Sequence, residues 1–263
     1  MTENSAVPGT SERPALVTGA GRNIGAEIAR TLAASGHPVA LCARRSDEIA
    51  AVAAEIEQGG GRAISSPVDV SDADGVQAFA DRAAEELGAP VQILVNNAVQ
   101  RIQLPFLEMP VDEWHKVLEI TLTGAFNNAK AVLPGMRAAG WGRIISFSGL
   151  AGEAGAWNRA GIVTAKNAII GFTKALALEG AADGITANAI SPGIIGTKRD
   201  AHQFKGMVDE ALAKRHYAEE TELIPAGRMG YIDEVVAACE YLISDRAAFV
   251  TGQTLSVNGG RYP

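Results

Sequence analysis

The sequence predicts a single-domain α/β protein built on a doubly wound parallel sheet of about seven strands, with helices on both faces. Short apolar segments alternate with longer amphipathic patterns along all 263 residues, which is typical of repeated strand–helix units. The clearest strand segments, such as PVALCA and VQILV, are continuous apolar runs, as expected of strands covered on both faces. A glycine-rich turn follows the first strand, where such sheets bind ligands.

The same pattern divides the chain into a tail, a domain and one unusual segment. Residues 1–13 predict a flexible N-terminal tail ahead of a domain over 14–263. Strands are predicted at 14–18, 38–43, 62–68, 91–95, 143–148, 185–191 and 253–257. Helices are predicted near 24–35, 46–58, 72–87, 111–138, 160–180 and 232–243. Ser71 followed by Asp74 predicts a capping box on the third helix, and residues 197–227 are polar, helix-prone and without a strand.

Composition narrows the possible partners and compartment. The net charge of −7 and the pI near 5.2 argue against a nucleic acid or an anionic membrane as partner. No apolar run approaches the ~20 residues that span a bilayer, and the polar start lacks the apolar core of a signal peptide. Cys42 and Cys239 stand in apolar contexts without metal-ligand spacing, so they predict buried free thiols, no metal site and a cytoplasmic location.

The turn after the first strand has the composition of a phosphate cradle. Residues 17–25 read VTGAGRNIG, with Gly19, Gly21 and Gly25 between a strand and an amphipathic helix. Glycines let the backbone approach a pyrophosphate, and a helix N-terminus offers N–H groups and partial positive charge. The spacing differs from the commoner G-x-G-x-x-G fingerprint, but the flanks predict a Rossmann-type dinucleotide site.

The end of the second strand indicates which dinucleotide is bound. An NAD site wants an acidic residue there to bind the ribose 2′-hydroxyl. This strand ends in Cys42, Ala43, Arg44 and Arg45, and Arg22 lies within the glycine loop. Because guanidinium donors match phosphate oxygens, the three arginines predict NADP(H).

Five motifs in register carry a resemblance to a known family. They are the loop Thr18–Gly25, the pair Asp69 and Val70, the turn Asn96–Val99, the segment from Pro192 through Gly193 to Thr197, and the tail VTGQTLSVNGG. From about residue 14 to 260 the chain resembles the short-chain dehydrogenase/reductase family, and within it the β-ketoacyl-carrier-protein reductase branch. The resemblance implies cofactor contacts from Gly19, Arg22, Asn23, Ile24, Arg44, Asp69, Val70, Asn96, Lys166, Pro192, Gly193 and Thr197.

The active-site stretch departs from the family. Members carry an Asn-Ser-Tyr-Lys tetrad, whose positions here hold Thr121, Gly149, Ile162 and Lys166. Isoleucine cannot exchange a proton and glycine has no side chain to donate a hydrogen bond. Ser148 adjoins the family's Ser position, but alternation along a strand predicts that it points away from the substrate. The glycine positions Asn23 and Val99 have also changed.

These losses leave three hypotheses. The first is an atypical NADP(H)-dependent reductase acting on a specialised-metabolite intermediate with an iminium or conjugated carbonyl group, which needs less help from the protein. The second is a non-redox cyclase, isomerase or dehydratase that keeps NADP(H) as a bound helper. The third is a catalytically silent scaffold subunit. The enoyl-reductase branch has a Tyr seven residues before its Lys. This chain has Arg159 at that position, so the sequence gives little support to an enoyl reductase.

The first hypothesis assigns the remaining site residues. The catalytic candidates are Lys166, Arg159, Thr121 and Tyr217. The substrate is expected near Gly149, Trp157, Ile162 and His202, under a lid formed by 197–227. The resemblance also implies a homodimer or homotetramer, a small-molecule substrate, and no nucleic-acid or membrane partner.

Overall fold

The structure is a computed structural model that describes residues 12–197, 218–219 and 221–262. Most of the predicted tail and most of the predicted lid, including His202 and Tyr217, therefore lie outside the described residues. Arg13, at the end of the predicted tail, pairs with Asp245 at 3.1 Å and stacks on the Trp141 ring at 3.7 Å.

The described residues form one seven-stranded parallel sheet, which confirms the predicted fold class. Its strands are β1 (Ala15–Thr18), β2 (Val39–Ala43), β3 (Ala63–Pro67), β4 (Ile93–Asn96), β5 (Gly142–Phe147), β6 (Ile185–Pro192) and β7 (Thr254–Val257). Their order is β3-β2-β1-β4-β5-β6-β7. The chain reverses direction across the sheet between β1 and β4, so a crevice opens at their carboxyl ends, where such folds bind ligands.

Helices cover both faces of this sheet. They are α1 (Asn23–Ala34), α2 (Ser46–Gln58), α3 (Ala73–Leu87), α4 (Val111–Leu118), α5 (Gly124–Ala139), α6 (Leu150–Ala154), α7 (Ala160–Gly180) and α8 (Ile232–Ile243). The capping box predicted at Ser71 and Asp74 is wrong. Asp72 is the N-cap of α3 and accepts a 3.2 Å hydrogen bond from the Asp74 N–H, while the Ser71 hydroxyl turns back to Asp69.

The helix predicted over 111–138 is interrupted. A π-helical turn, Glu119–Thr123, separates α4 from α5. The Thr121 hydroxyl oxygen inside this turn accepts a 3.3 Å hydrogen bond from the Gln100 backbone N–H. Single π turns inside helices are frequent at functional sites, and this one adjoins the crevice because Ile120 contributes to the crevice wall.

Alternate strand residues build two cores, one on each face of the sheet. Val17 and Ile145 pack with residues of α1, α2 and α8, whereas Leu16 and Ile144 pack with residues of α3 and α5. This alternation follows the two-residue period of a strand. It explains why the strands read as continuous apolar runs, since both of their faces are buried.

Two smaller predictions concern cysteines and membrane spans. Cys42 and Cys239 are free and buried, as predicted, and burial raises the pKa of the Cys42 thiol to about 12. Among the described helices, the segment Ala160–Asp183 is long and apolar enough to cross a membrane. Its Ala177 packs in the core beside Ile185 and Ala187 of β6, as in the core helix of a globular domain.

Candidate functional site

A cleft of about 580 Å³ lies over the carboxyl ends of β1, β2, β4, β5 and β6. Its volume is within the range of ~300–1,000 Å³ that is usual for small-molecule sites. Eleven predicted cofactor residues line it, namely Gly19, Arg22, Asn23, Ile24, Arg44, Asp69, Val70, Lys166, Pro192, Gly193 and Thr197. The twelfth, Asn96, lies buried near the floor and bonds Ser146 and Asn128.

The glycine loop is shaped by close backbone packing. Gly19 has φ +62°, a conformation that side chains disfavour. A Cβ on Gly25 would lie 2.4 Å from the Gly19 carbonyl oxygen and 2.5 Å from the Asn97 Nδ2 atom. Asn23 occupies a family glycine position at φ +52°, which asparagine tolerates better than most residues. The loop therefore fits the pyrophosphate cradle predicted from the sequence.

Thr18 fastens this loop to the neighbouring turn after β4. Its side-chain oxygen accepts hydrogen bonds from the backbone N–H groups of Asn97 at 3.1 Å and Ala98 at 3.0 Å. In return, the Asn97 side-chain amide donates to the carbonyl oxygens of Thr18 and Gly19. This reciprocal arrangement fixes two walls of the cleft relative to each other.

Replacing Thr18 by valine is expected to lower the free energy of unfolding by about 1–3 kcal/mol, because two N–H groups lose their acceptor at a buried position. Urea unfolding measures the change. The matched control is Thr164→Val on the exposed face of α7, where surface substitutions stay within about 0.5 kcal/mol. Equal effects of both substitutions would contradict the role given to Thr18.

A charged corner lies where the ribose of the predicted dinucleotide would bind. Arg22, Arg44 and Arg45 all line it. Arg44 donates to the Gln100 side chain at 3.3 Å, and Arg45 pairs with Glu48 at 3.0 Å. Sequence reasoning missed Glu48, which reaches the cleft from the first turn of α2.

Asp69 gives the same corner a second carboxylate. Burial alone would raise its pKa, but hydrogen bonds from Ser71 and the charge of Arg44 lower it below the usual value. Asp69 is therefore an ionised acceptor, as a contact to an amino group requires.

Lys166 is the buried cation at the opposite end of the cleft. Its side chain is 5% exposed, and its amine donates a hydrogen bond to the Phe147 carbonyl oxygen. Burial, with a smaller contribution from the nearby charge of Arg101, lowers the Lys166 pKa from 10.5 to about 7. The Ser148 hydroxyl donates to the Lys166 carbonyl oxygen at 3.1 Å, and Ser148 also lines the cleft, so its predicted direction away from the substrate stays a prediction.

Gly149 and Ile162, at the family's Ser and Tyr positions, are placed very differently. Gly149 lines the cleft with φ +139° and ψ 161°, a backbone region that is essentially restricted to glycine. Ile162 packs away from the cleft against Ile102, Val117 and Ala165. Ile162 is not among the residues that line the cleft, and its contact with a substrate stays a prediction.

The other described candidates, Arg159, Trp157 and Thr121, are not among the residues that line the cleft. Arg159 is the N-cap of α7 and donates to the Gln103 side chain at 3.2 and 3.3 Å. Trp157 is 91% exposed, and neither residue lines the cleft. Thr121 is buried behind Ile120 with its oxygen bonded to Gln100. Among the described residues, no group of His, Cys, Asp and Glu is arranged to hold a metal ion.

Comparison with known proteins agrees with this architecture. A family model described as enoyl-(acyl carrier protein) reductase matches residues 19–261. The chain belongs to the short-chain dehydrogenase/reductase family. An acetoacetyl-CoA reductase from Rhizobium meliloti is 41% identical over 253 residues, covering 95% of this chain and 98% of the relative.

Two further relatives extend the comparison. The 3-oxoacyl-[acyl-carrier-protein] reductase FabG of Escherichia coli is 37% identical over 249 residues, covering 94% of this chain and 96% of the relative. A candidate NAD(P)-dependent gluconate 5-dehydrogenase from Beutenbergia cavernae, solved with NADP at low occupancy, superposes with a TM-score of 0.85. That pair is 35% identical and covers 95% of this chain and 96% of the other. These family members are named for different substrates, so membership indicates an oxidoreductase without identifying its substrate.

Proposed function

We propose that this protein is an NADP(H)-dependent reductase that works without the family's Ser and Tyr. Its substrate would be a specialised-metabolite intermediate whose reacting group is an iminium ion or a conjugated carbonyl. The observation that carries the proposal is that Lys166 is a buried amine lining the same cleft as Gly149, whereas Ile162 is not among the residues that line it.

NADP(H) is the cofactor that the cleft fits best. The glycine loop and the start of α1 would hold the pyrophosphate, the three arginines would hold the 2′-phosphate, and Asp69 would accept from the adenine amino group. Thr197, Gly193 and Lys166 line the other end of the cleft, where the nicotinamide would bind. When bound, the cofactor supplies the hydride, and the chain supplies orientation and protons.

Lys166 is the residue that we assign as proton donor for a conjugated carbonyl, which takes up a hydride and a proton; an iminium ion becomes a neutral amine on hydride transfer and needs no donor. An ammonium group with a pKa of about 7 is half protonated at neutral pH, which suits a group that gives up a proton during the reaction. The Phe147 carbonyl fixes the amine, and burial keeps it from bulk water. Among the described residues, the hydroxyl of Ser148 and the guanidinium of Arg159 are held by other partners, which favours Lys166 as the donor; His202 and Tyr217 lie outside the described residues.

The proposed function is tested by NADPH consumption with a panel of substrates. We expect turnover of cyclic iminium ions or enones, and turnover of simple 3-oxoacyl thioesters that is slower by about 10²-fold or more, the scale of the contribution of the family Tyr that Ile162 replaces. Transfer of deuterium from 4-deuterated NADPH into the product confirms a redox step. Efficient reduction of 3-oxoacyl thioesters contradicts the substrate class, and conversion without NADPH consumption favours a non-redox reaction.

We also propose a cytoplasmic homodimer or homotetramer. The family resemblance implies subunit contacts from the helices near 111–138 and 160–180 and from the C-terminal tail. Large apolar side chains are exposed on these helices, with Leu178 84% and Phe126 47% exposed. Phe249 is fully exposed after α8. Such apolar positions are typical of subunit interfaces. Light scattering should give two or four times the 27.3 kDa chain mass, and a monomer at micromolar concentration would contradict the proposal.

A further inference from the structure

Glu48 places an acidic group in a corner otherwise lined by arginines. A Cβ on Gly21 of the phosphate loop would lie 2.9 Å from Glu48 Cβ and 3.0 Å from its Oε2 atom, so this side chain abuts the loop. The Glu48 carboxylate pairs with Arg45 at 3.0 Å, and both side chains line the cleft. An NAD site carries an acidic residue at the end of β2, and this chain has none there. Glu48, in the first turn of α2, instead places a carboxylate at the same corner.

We propose that Glu48 is a specificity-determining residue that restrains the preference for NADPH over NADH. The inference rests on the proposed NADP(H) site. A 2′-phosphate must compete with the Glu48 carboxylate for the donors of Arg45 and is repelled by its charge. A ribose 2′-hydroxyl meets no such repulsion and can donate to a carboxylate.

The contacts around Glu48 confine the expected effect of its charge on nucleotide binding to the ribose corner. Its side chain is 28% exposed, so water and salt screen the ion pair with Arg45. The neighbouring contacts, Arg44 with Gln100 and Asp69 with Ser71, do not involve Glu48. Removing its charge should therefore change 2′-phosphate recognition while the pyrophosphate and adenine contacts stay as they are.

The test compares Glu48→Gln with Asp47→Asn by fluorescence titration with NADPH and NADH. Asp47 is the matched control, because it is an exposed acid in the same helical turn and does not line the cleft. We expect Glu48→Gln to tighten NADPH binding about three- to fivefold, the scale of an exposed ion pair, and to leave NADH binding unchanged or weaker. High salt should shrink the difference, and Asp47→Asn should leave the NADPH/NADH ratio as in the wild type.

Three outcomes overturn the inference. The same shift in the NADPH/NADH ratio from Asp47→Asn would show that Glu48 has no specific role in discriminating the 2′-phosphate. A wild-type protein that binds neither nucleotide overturns this inference together with the proposed function. Binding of NADPH by the wild type with an unchanged ratio in Glu48→Gln overturns this inference alone.

Discussion

Lys166→Met is expected to lower kcat for reduction of a conjugated carbonyl by about 10²–10⁴-fold, the contribution of a positioned general acid. Methionine fills a similar volume but carries no proton. The steady-state rate with the best conjugated carbonyl of the panel measures the loss. Lys174→Met, on the exposed face of the same helix, is the matched control and should keep wild-type activity. A Lys166→Met variant with wild-type kcat would contradict the assignment.

The pH profile separates proton donation from ribose binding. Reduction of a conjugated carbonyl by the wild type needs the protonated amine, so kcat/KM for such a substrate should be constant below pH 7 and fall as pH rises through the Lys166 pKa of about 7. Lys166→Arg keeps a positive charge near the ribose but does not titrate in this range. The Lys166→Arg variant should therefore reduce slowly at every pH, and its kcat/KM should not fall near pH 7. A pH profile of this variant that matches the wild type would argue for a purely structural lysine.

The same depressed pKa predicts a link between stability and pH. Folding lowers the Lys166 pKa from 10.5 to about 7, so the unfolded chain binds more protons between these values. The destabilisation by Lys166 is therefore complete below pH 7 and declines as pH rises toward 10.5. Lys166→Met should have a higher melting temperature than the wild type at pH 7, with a gap that closes toward pH 10.5. A gap independent of pH would contradict the buried titrating amine.

Gly25→Ala is expected to weaken NADPH binding by about tenfold or more, since each ~1.4 kcal/mol of strain is a factor of ten in Kd. The new Cβ would lie 2.4 Å from the Gly19 carbonyl oxygen, so the phosphate loop has to shift. Fluorescence titration measures the affinity, and urea unfolding should show a loss of about 1–3 kcal/mol for the overpacked site.

Gly171→Ala is the matched control for this substitution. A Cβ on Gly171 meets nothing within 4 Å on the exposed face of α7. Alanine should stabilise the helix by about 0.5–1 kcal/mol and leave NADPH affinity unchanged. If Gly25→Ala bound NADPH as the wild type does, the packing described for the phosphate loop would be incorrect.

The sheet and the phosphate loop could be predicted from the sequence because their signals are local. Each predicted strand overlaps an observed one, and the glycines before α1 appear where a strand–helix turn needs close backbone packing. The interruption of 111–138 was not predictable in this way. The π turn is stabilised partly by the hydrogen bond from the Gln100 N–H to the Thr121 hydroxyl, and Gln100 lies outside the helix, in the loop after β4.

The candidate site shows the same division between local and tertiary information. The arginines after β2 could be assigned from their position, and the pair of Glu48 with Arg45 is a local i,i+3 contact, but the contact of Glu48 with Gly21 forms only when α2 packs against the loop. The family resemblance shows only that Gly149 lacks the hydroxyl of the family Ser. The structure shows in addition that its backbone, at φ +139°, would be strained with a serine side chain. Restoring the family residues at Gly149 and Ile162 therefore requires backbone and core changes as well as new side chains.

The most direct test of this account is a titration of the wild-type protein with NADPH and, separately, NADH, read by nicotinamide fluorescence. The cleft, its arginine corner and Lys166 predict micromolar binding of NADPH that is tighter than binding of NADH. Absence of binding by either nucleotide would contradict the account and favour a scaffold or a reaction that needs no cofactor.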